Sequence, residues 1–140
     1  MKSIFFALLA SIVWGSAPIL FKLGLRGEMH PLTALVFHNL SAFTLALLFV
    51  LLTGQKFGYP IKEIALVVAG GMASGFLGLF LFFKAVKGGE VSVVSPIAST
   101  SPLWSSLLAF LLLGEPFSWL RFAGIVLIVC GIALISLSVK

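Results

Sequence analysis

The sequence predicts an all-α membrane protein with five transmembrane helices. Apolar residues make up 61% of its 140 residues and charged residues 9%, whereas soluble domains carry about 25% charged residues. The charged residues cluster, and they divide the chain into five apolar blocks. At ~1.5 Å per residue, each block spans the ~30 Å hydrocarbon core as a helix and is too long for a barrel strand. The blocks, which form one domain over residues 1–140, are residues 4–25, 32–52, 64–86, 91–113 and 119–137.

The first block shares features with a signal peptide, because Lys2 precedes an apolar run. The run continues through Trp14, however, and the small-residue site at 15–17 is followed by Pro18, which is unfavourable for cleavage. The sequence therefore predicts a retained helix. Trp14 lies in mid-membrane rather than in the interfacial aromatic belt, so we expect its ring to face protein or a solute pathway.

The second block contains the clearest polar pair within a span, His38 and Asn39. An ionisable side chain inside the membrane is a functional candidate by default. We therefore place both residues on a possible substrate path. A neutral histidine that is hydrogen-bonded to a neighbouring helix remains the alternative.

The third and fifth blocks carry small residues at helical spacing. Small residues let the backbones of two membrane helices approach closely. We interpret these glycines as helix-packing or dimer contacts. They are Gly71, Gly75 and Gly78 in the third block and Gly124 and Gly131 in the fifth.

The fourth block combines hydroxyl residues with two prolines. Several of these residues fall within about 80° of one another on a helical projection. Each proline removes a backbone hydrogen bond, which is tolerated where the backbone packs in protein or lines a water-filled cavity. Close helix packing and a substrate-lining, hinge-capable helix both remain open. The substrate-path candidates are Ser92, Ser95, Pro96, Ser99, Thr100 and Pro102.

Three short turns, RGEMHP, KGGEVS and GEPFS, share a glycine followed by a glutamate. A left-handed glycine can end one helix, and a carboxylate is favoured near the N-terminus of the next. We expect Glu28, Glu90 and Glu115 to have this structural role. The turns make successive helices antiparallel neighbours.

The basic residues are nearly balanced across the membrane, although cytoplasmic loops normally carry an excess of them. This balance predicts insertion in both orientations, with one dominant charge fixing a single orientation as the alternative. The net charge of +5 suits a lipid bilayer surface and indicates no nucleic-acid partner. One side receives Lys2, Lys56, Lys62 and Arg121, and the other Lys22, Arg26, Lys84, Lys87 and Lys140.

Trp14-Gly15 followed by Lys22, and the tail over residues 101–136, resemble EamA domains of the drug/metabolite transporter superfamily. The resemblance covers essentially the whole chain. It implies an inner-membrane, multi-pass transporter that exports a small-molecule substrate by alternating access. Family members usually carry two such repeats, so it also implies an antiparallel homodimer of five-helix halves. The resemblance further implies that the fourth helix lines a central substrate cavity and that the fifth helix forms part of the dimer contact.

Other chemistries find little support. All four acidic residues lie in or beside loops, so proton-coupled export of organic cations is disfavoured unless His38 titrates in place of a carboxylate. No metal-ligand spacing, phosphate loop or nucleophile–base pair occurs, and we expect neither enzymatic activity nor a metal or cofactor. A flippase for a lipid-linked sugar and a non-transporting assembly subunit remain alternative functions.

Overall fold

The computed structural model describes residues 2–137 and confirms the predicted fold class. In this part of the chain, five helices are long and apolar enough to cross a membrane, and no strand occurs. Residue 1 and residues 138–140 lie outside the described residues, and with them Lys140 of the charge count. The helices are α1 (Lys2–Gly24), α2 (Pro31–Thr53), α3 (Ile61–Gly88), α4 (Val91–Leu113) and α5 (Trp119–Leu137).

The chain forms two compact units, and α1 contributes to both. Residues 16–88 form one unit, in which α2 packs against the C-terminal part of α3. The core of this unit contains Leu25, Leu35 and Phe83. The other unit contains residues up to Gly15 and those from Gly89 onward, and in it α4 packs against α5. Many large apolar side chains of both units are exposed, as is normal where lipid is the solvent.

The middle of α3 is a π-helix, Met72–Gly78, between α-helical segments Ile61–Gly71 and Leu79–Gly88. The wider turn brings the carbonyl oxygen of Ala73 within 3.3 Å of the place where a Cβ on Gly78 would lie. A side chain at this position would crowd that carbonyl. The small residues of this stretch therefore allow the π-helix, and Gly78 is the glycine that it requires most directly.

α4 is interrupted in mid-span. The segments Val91–Ala98 and Ser101–Leu113 are joined by a tight turn at Ser99 and Thr100. Pro102 explains the position of the break, because a proline ring clashes with the carbonyl four residues earlier, here that of Ala98. The fourth span keeps its predicted bounds, Val91–Leu113, and the local interruption lies within it.

Only one of the three glycine–glutamate turns has the predicted left-handed glycine at the end of a helix. Gly114, in the GEPFS turn, ends α4 with φ +65° and confirms the left-handed glycine expected there. The same prediction is wrong for the turns at 26–31 and 87–92, where none of the described residues has a positive φ. Gly54, with φ +64°, ends α2 instead, and its N–H donates to the carbonyl of Leu51.

The end of α3 is capped by a lysine rather than by a glycine. Lys22 of α1 donates from Nζ to the carbonyl oxygens of Val86 at 2.9 Å and Lys87 at 3.2 Å. The last carbonyls of a helix lack intrahelical partners and attract a cation. Lys22 therefore joins the end of α1 to the end of α3.

Candidate functional site

A polar cluster connects α2 to the π-helical segment of α3. The side-chain Nδ2 of Asn39 donates to the carbonyl oxygen of Gly75 at 3.0 Å, and its Oδ1 lies 3.2 Å from His38 Nδ1. Because Nδ2 faces a carbonyl, Oδ1 is the acceptor in the second contact, and His38 Nδ1 must carry the proton between them. The cluster therefore fixes the role of Nδ1 and leaves Nε2 as the ring nitrogen available to a solute.

Two phenylalanines hold the imidazole of His38 from other helices. Phe21 of α1 and Phe83 of α3 meet the ring edge-to-face, with centroid separations of 5.5 and 5.9 Å. Phe83 is 1% exposed, so this side of the ring is anchored in the core of the unit. Aromatic pairs prefer this geometry. The aromatic contacts and the Asn39 bond together restrict both the tilt and the rotation of the imidazole.

The π-helix gives Asn39 its partner. Gly75 lies within the π-helical segment, and a Cβ there would be 3.9 Å from Asn39 Oδ1. The position thus accommodates a small residue in van der Waals contact with the amide. Single π-helical turns occur frequently at functional sites. Here the π-helix supplies a backbone acceptor to a polar side chain of the neighbouring helix.

The α4 candidates surround the break. Ser95, Pro96 and Thr100 are half-buried, whereas Ser92, Ser99 and Pro102 are exposed. The Ser99 hydroxyl donates to the carbonyl of Ser95 at 2.9 Å, and its oxygen retains the ability to accept a hydrogen bond. The backbone N–H groups of Ser99 and Thr100 bond to carbonyls of the preceding turn, whereas Pro102 has no N–H to donate to the carbonyl of Ala98.

The predicted substrate-path residues fall in both compact units. His38 and Asn39 belong to residues 16–88, whereas Trp14 and the α4 residues belong to the other unit. The structure joins His38 to Asn39 and Asn39 to Gly75. Trp14 is 76% exposed, and its predicted place on a solute path remains a prediction.

The predicted packing glycines differ in their surroundings. A Cβ on Gly75 would lie beside Asn39 of α2, whereas one on Gly78 would meet the Ala73 carbonyl of its own helix. A Cβ on Gly71, Gly124 or Gly131 would meet no atom of the described residues within 4 Å. Their role as contacts with another helix or a second copy therefore remains a prediction.

Sequence reasoning missed the aromatic residues around His38. The chain contains 14 phenylalanines, and no spacing distinguishes Phe21 and Phe83 from the others. The sequence places Lys22 in a family motif, but it does not indicate the two carbonyl partners of Lys22 on α3. Among residues 2–137, no three His, Cys, Asp or Glu side chains lie close enough to hold a metal ion.

Comparison with known proteins agrees with this architecture. The sequence pattern of the EamA-like transporter family matches residues 1–137. This range includes all five helices, the polar cluster of α2 and α3, and the break of α4. An uncharacterised protein of Methanocaldococcus jannaschii is 30% identical over 143 aligned residues, which cover 97% of each protein. No solved structure shows a significant match to the chain.

Proposed function

Because the chain belongs to the EamA-like transporter family, we propose that it exports a small solute or metabolite across the inner membrane by alternating access. The break of α4 at Ser99 and Thr100 is the observation that carries this proposal. Interrupted helices supply solute sites near the bilayer midplane in transporters. Non-helical backbone is tolerated there where it packs in protein or lines a cavity. The family is one of transporters, and the proposal includes no catalytic step.

The hydrogen-bonding side chains of the candidate substrate path indicate the chemistry of the solute. In one compact unit they are the hydroxyls of Ser95, Ser99 and Thr100 at the break, and in the other unit, as a separate candidate contact, Nε2 of His38. These groups exchange hydrogen bonds with a polar solute but supply no carboxylate for an organic cation. We therefore propose a small solute with several hydrogen-bonding groups. The break in α4 and the π-helix in α3 are the two points at which these helices can bend between access states.

Transport by reconstituted protein tests this proposal. The purified chain is placed in proteoliposomes and assayed for exchange of radiolabelled amino acids, nucleosides and sugars. For the solute class that exchanges, we expect the double variant Ser95→Ala/Ser99→Ala to be about tenfold slower, since two lost hydrogen bonds amount to ~1.4 kcal/mol.

The matched control for this double variant is Ser136→Ala in α5. The Ser136 hydroxyl donates to the carbonyl of Ile132 at 3.0 Å, the same kind of bond that Ser99 makes to Ser95. Ser136 is not at the α4 break, so its loss should leave exchange unchanged. Equal rates for the double variant and the wild type would contradict the assignment of the α4 break as a solute site.

We further propose that two copies assemble as an antiparallel homodimer. A unit with an odd number of spans generates inverted repeats when a second copy inserts the other way, as in many transporters. The nearly balanced Lys and Arg count supports this arrangement. The M. jannaschii relative is matched along 97% of its own length, so it also has the size of one five-helix unit. Gly124 and Gly131 on α5 would lie at the contact between the copies.

Membrane topology tests the homodimer. A cytoplasm-active reporter and a periplasm-active reporter are fused separately to the C-terminus, and both activities are measured. We expect comparable activity from the two fusion proteins, because the two sides of the membrane carry nearly equal numbers of Lys and Arg, four and five. Activity from one fusion protein alone would show a fixed orientation and contradict an antiparallel dimer of identical chains.

A further inference from the structure

A cavity of about 470 Å³ lies between α4 and α5, beside the turn that joins them. All of its lining residues belong to one compact unit. The transport pathway proposed above does not use it. The wall is mainly apolar, and the residues that matter for its shape are Leu103, Leu107, Phe110, Phe117, Phe122 and Ile125.

The cavity has opposite charges at its turn end. Glu115 and Arg121 both line it, and Arg121 Nη1 lies 3.7 Å from Glu115 Oε2. Both side chains are more than half exposed. A guanidinium has five N–H donors and a carboxylate about four lone-pair sites. One long contact therefore leaves most of the hydrogen-bonding capacity of both groups for a ligand.

The polarity of the cavity follows membrane depth. Gly114 ends α4 and Trp119 begins α5, so Glu115 and Arg121 lie at the membrane boundary. Leu103 precedes Gly114 by eleven residues, which places it about 16 Å deeper along the helix. This depth reaches the middle of the ~30 Å hydrocarbon core. A ligand that follows the cavity is thus charged at the boundary and apolar toward the midplane.

We propose that this cavity binds a phospholipid with an ethanolamine head group. The guanidinium of Arg121 donates to the lipid phosphate, and the lipid ammonium donates to the carboxylate of Glu115. One acyl chain lies along Phe110, Phe117 and Phe122. A choline head group has no N–H to donate to Glu115, and a glycerol head group has no positive charge, so both are disfavoured. The assignment does not depend on the proposed transport activity.

Lipid binding by the purified full-length chain tests the assignment. Short-chain dihexanoyl lipids with ethanolamine, choline or glycerol head groups are titrated, and adducts are quantified by native mass spectrometry. We expect the wild type to prefer the ethanolamine lipid over both others by about fivefold, the factor that ~1 kcal/mol produces for an exposed charge pair. Arg121→Gln should weaken binding of the ethanolamine lipid by a similar factor. Glu115→Gln should remove the preference for ethanolamine over choline.

The turn between α1 and α2 supplies matched controls, because it also carries an exposed arginine and glutamate. Arg26→Gln and Glu28→Gln should bind as the wild type does. If the wild type binds the three lipids equally well, the proposal is overturned. This comparison uses only the wild-type protein, so it does not depend on whether a variant folds. Equal losses in Arg121→Gln and Arg26→Gln would also overturn it. Phosphoethanolamine without acyl chains is titrated in parallel, and equally tight binding of this soluble zwitterion would refute a lipid site.

Discussion

Replacing Asn39 with leucine is expected to lower the rate of solute exchange about tenfold, the factor that corresponds to ~1.4 kcal/mol. Leucine is close to asparagine in size, but it removes the donor to the Gly75 carbonyl and the acceptor beside His38 Nδ1. The imidazole can then adopt its other tautomer or rotate against Phe83. Its Nε2 no longer has a fixed position and role, and a solute loses an oriented partner.

The effect of Asn39→Leu on stability should be smaller than its effect on exchange. Hydrogen bonds between membrane helices contribute about 0.6 kcal/mol on average and at most about 1.7. We therefore expect a modest fall in the melting temperature, with most molecules still folded. Exchange is expressed per folded molecule, so that a positioning role is separated from a merely structural one.

Thr44→Ala is the matched control on the same helix. The Thr44 hydroxyl donates to the carbonyl of Leu40 at 2.8 Å, so this variant loses an intrahelical bond and no bond to α3. Its exchange rate should equal that of the wild type. If Asn39→Leu lowers the melting temperature but exchanges solute normally per folded molecule, Asn39 only joins α2 to α3 and does not serve the solute.

The five spans could be predicted because length and apolarity alone decide whether a helix can cross the bilayer. The break in α4 could not be placed in the same way. Pro96 and Pro102 both lack a backbone N–H, and the sequence does not tell which one interrupts the helix. The ring of Pro96 faces the carbonyl of Ser92, which lies in the first turn of α4. The ring of Pro102 would clash with the carbonyl of Ala98 in mid-span, and this is where α4 is interrupted.

The polar pair could be singled out from the sequence, but its partners could not. His38 and Asn39 are conspicuous in an apolar span, whereas the Gly75 carbonyl is 36 residues from Asn39 in the chain. Every residue has a backbone carbonyl, so the sequence does not show which carbonyl accepts the hydrogen bond of Asn39. Small residues around Gly75 permit a π-helix without requiring one. The contact thus depends on how α2 packs against α3, which short-range patterns do not contain.

The second large effect on solute exchange is expected from Pro102→Ala. This substitution should join the two helical segments of α4 into one continuous helix. Alanine restores an N–H that can donate to the carbonyl of Ala98 and removes the clash of the proline ring with that carbonyl. We expect the free energy of unfolding to rise by about 1 kcal/mol, within the range of single stabilising substitutions. Exchange should fall about tenfold, a loss of ~1.4 kcal/mol, because a continuous α4 engages its own backbone groups and resists bending.

Pro60→Ala, at the N-cap of α3 and outside the spans, is the matched control and should change neither the continuity of a span nor exchange. Amide hydrogen exchange over residues 98–103 reports whether α4 has closed. Slower amide exchange with slower solute exchange supports the break as a moving part, because one substitution then raises stability while it removes function. Slower amide exchange with undiminished solute exchange would mean that α4 can work as a continuous helix. The break would then be a consequence of packing, and the polar cluster at His38 would be left as the more important solute contact.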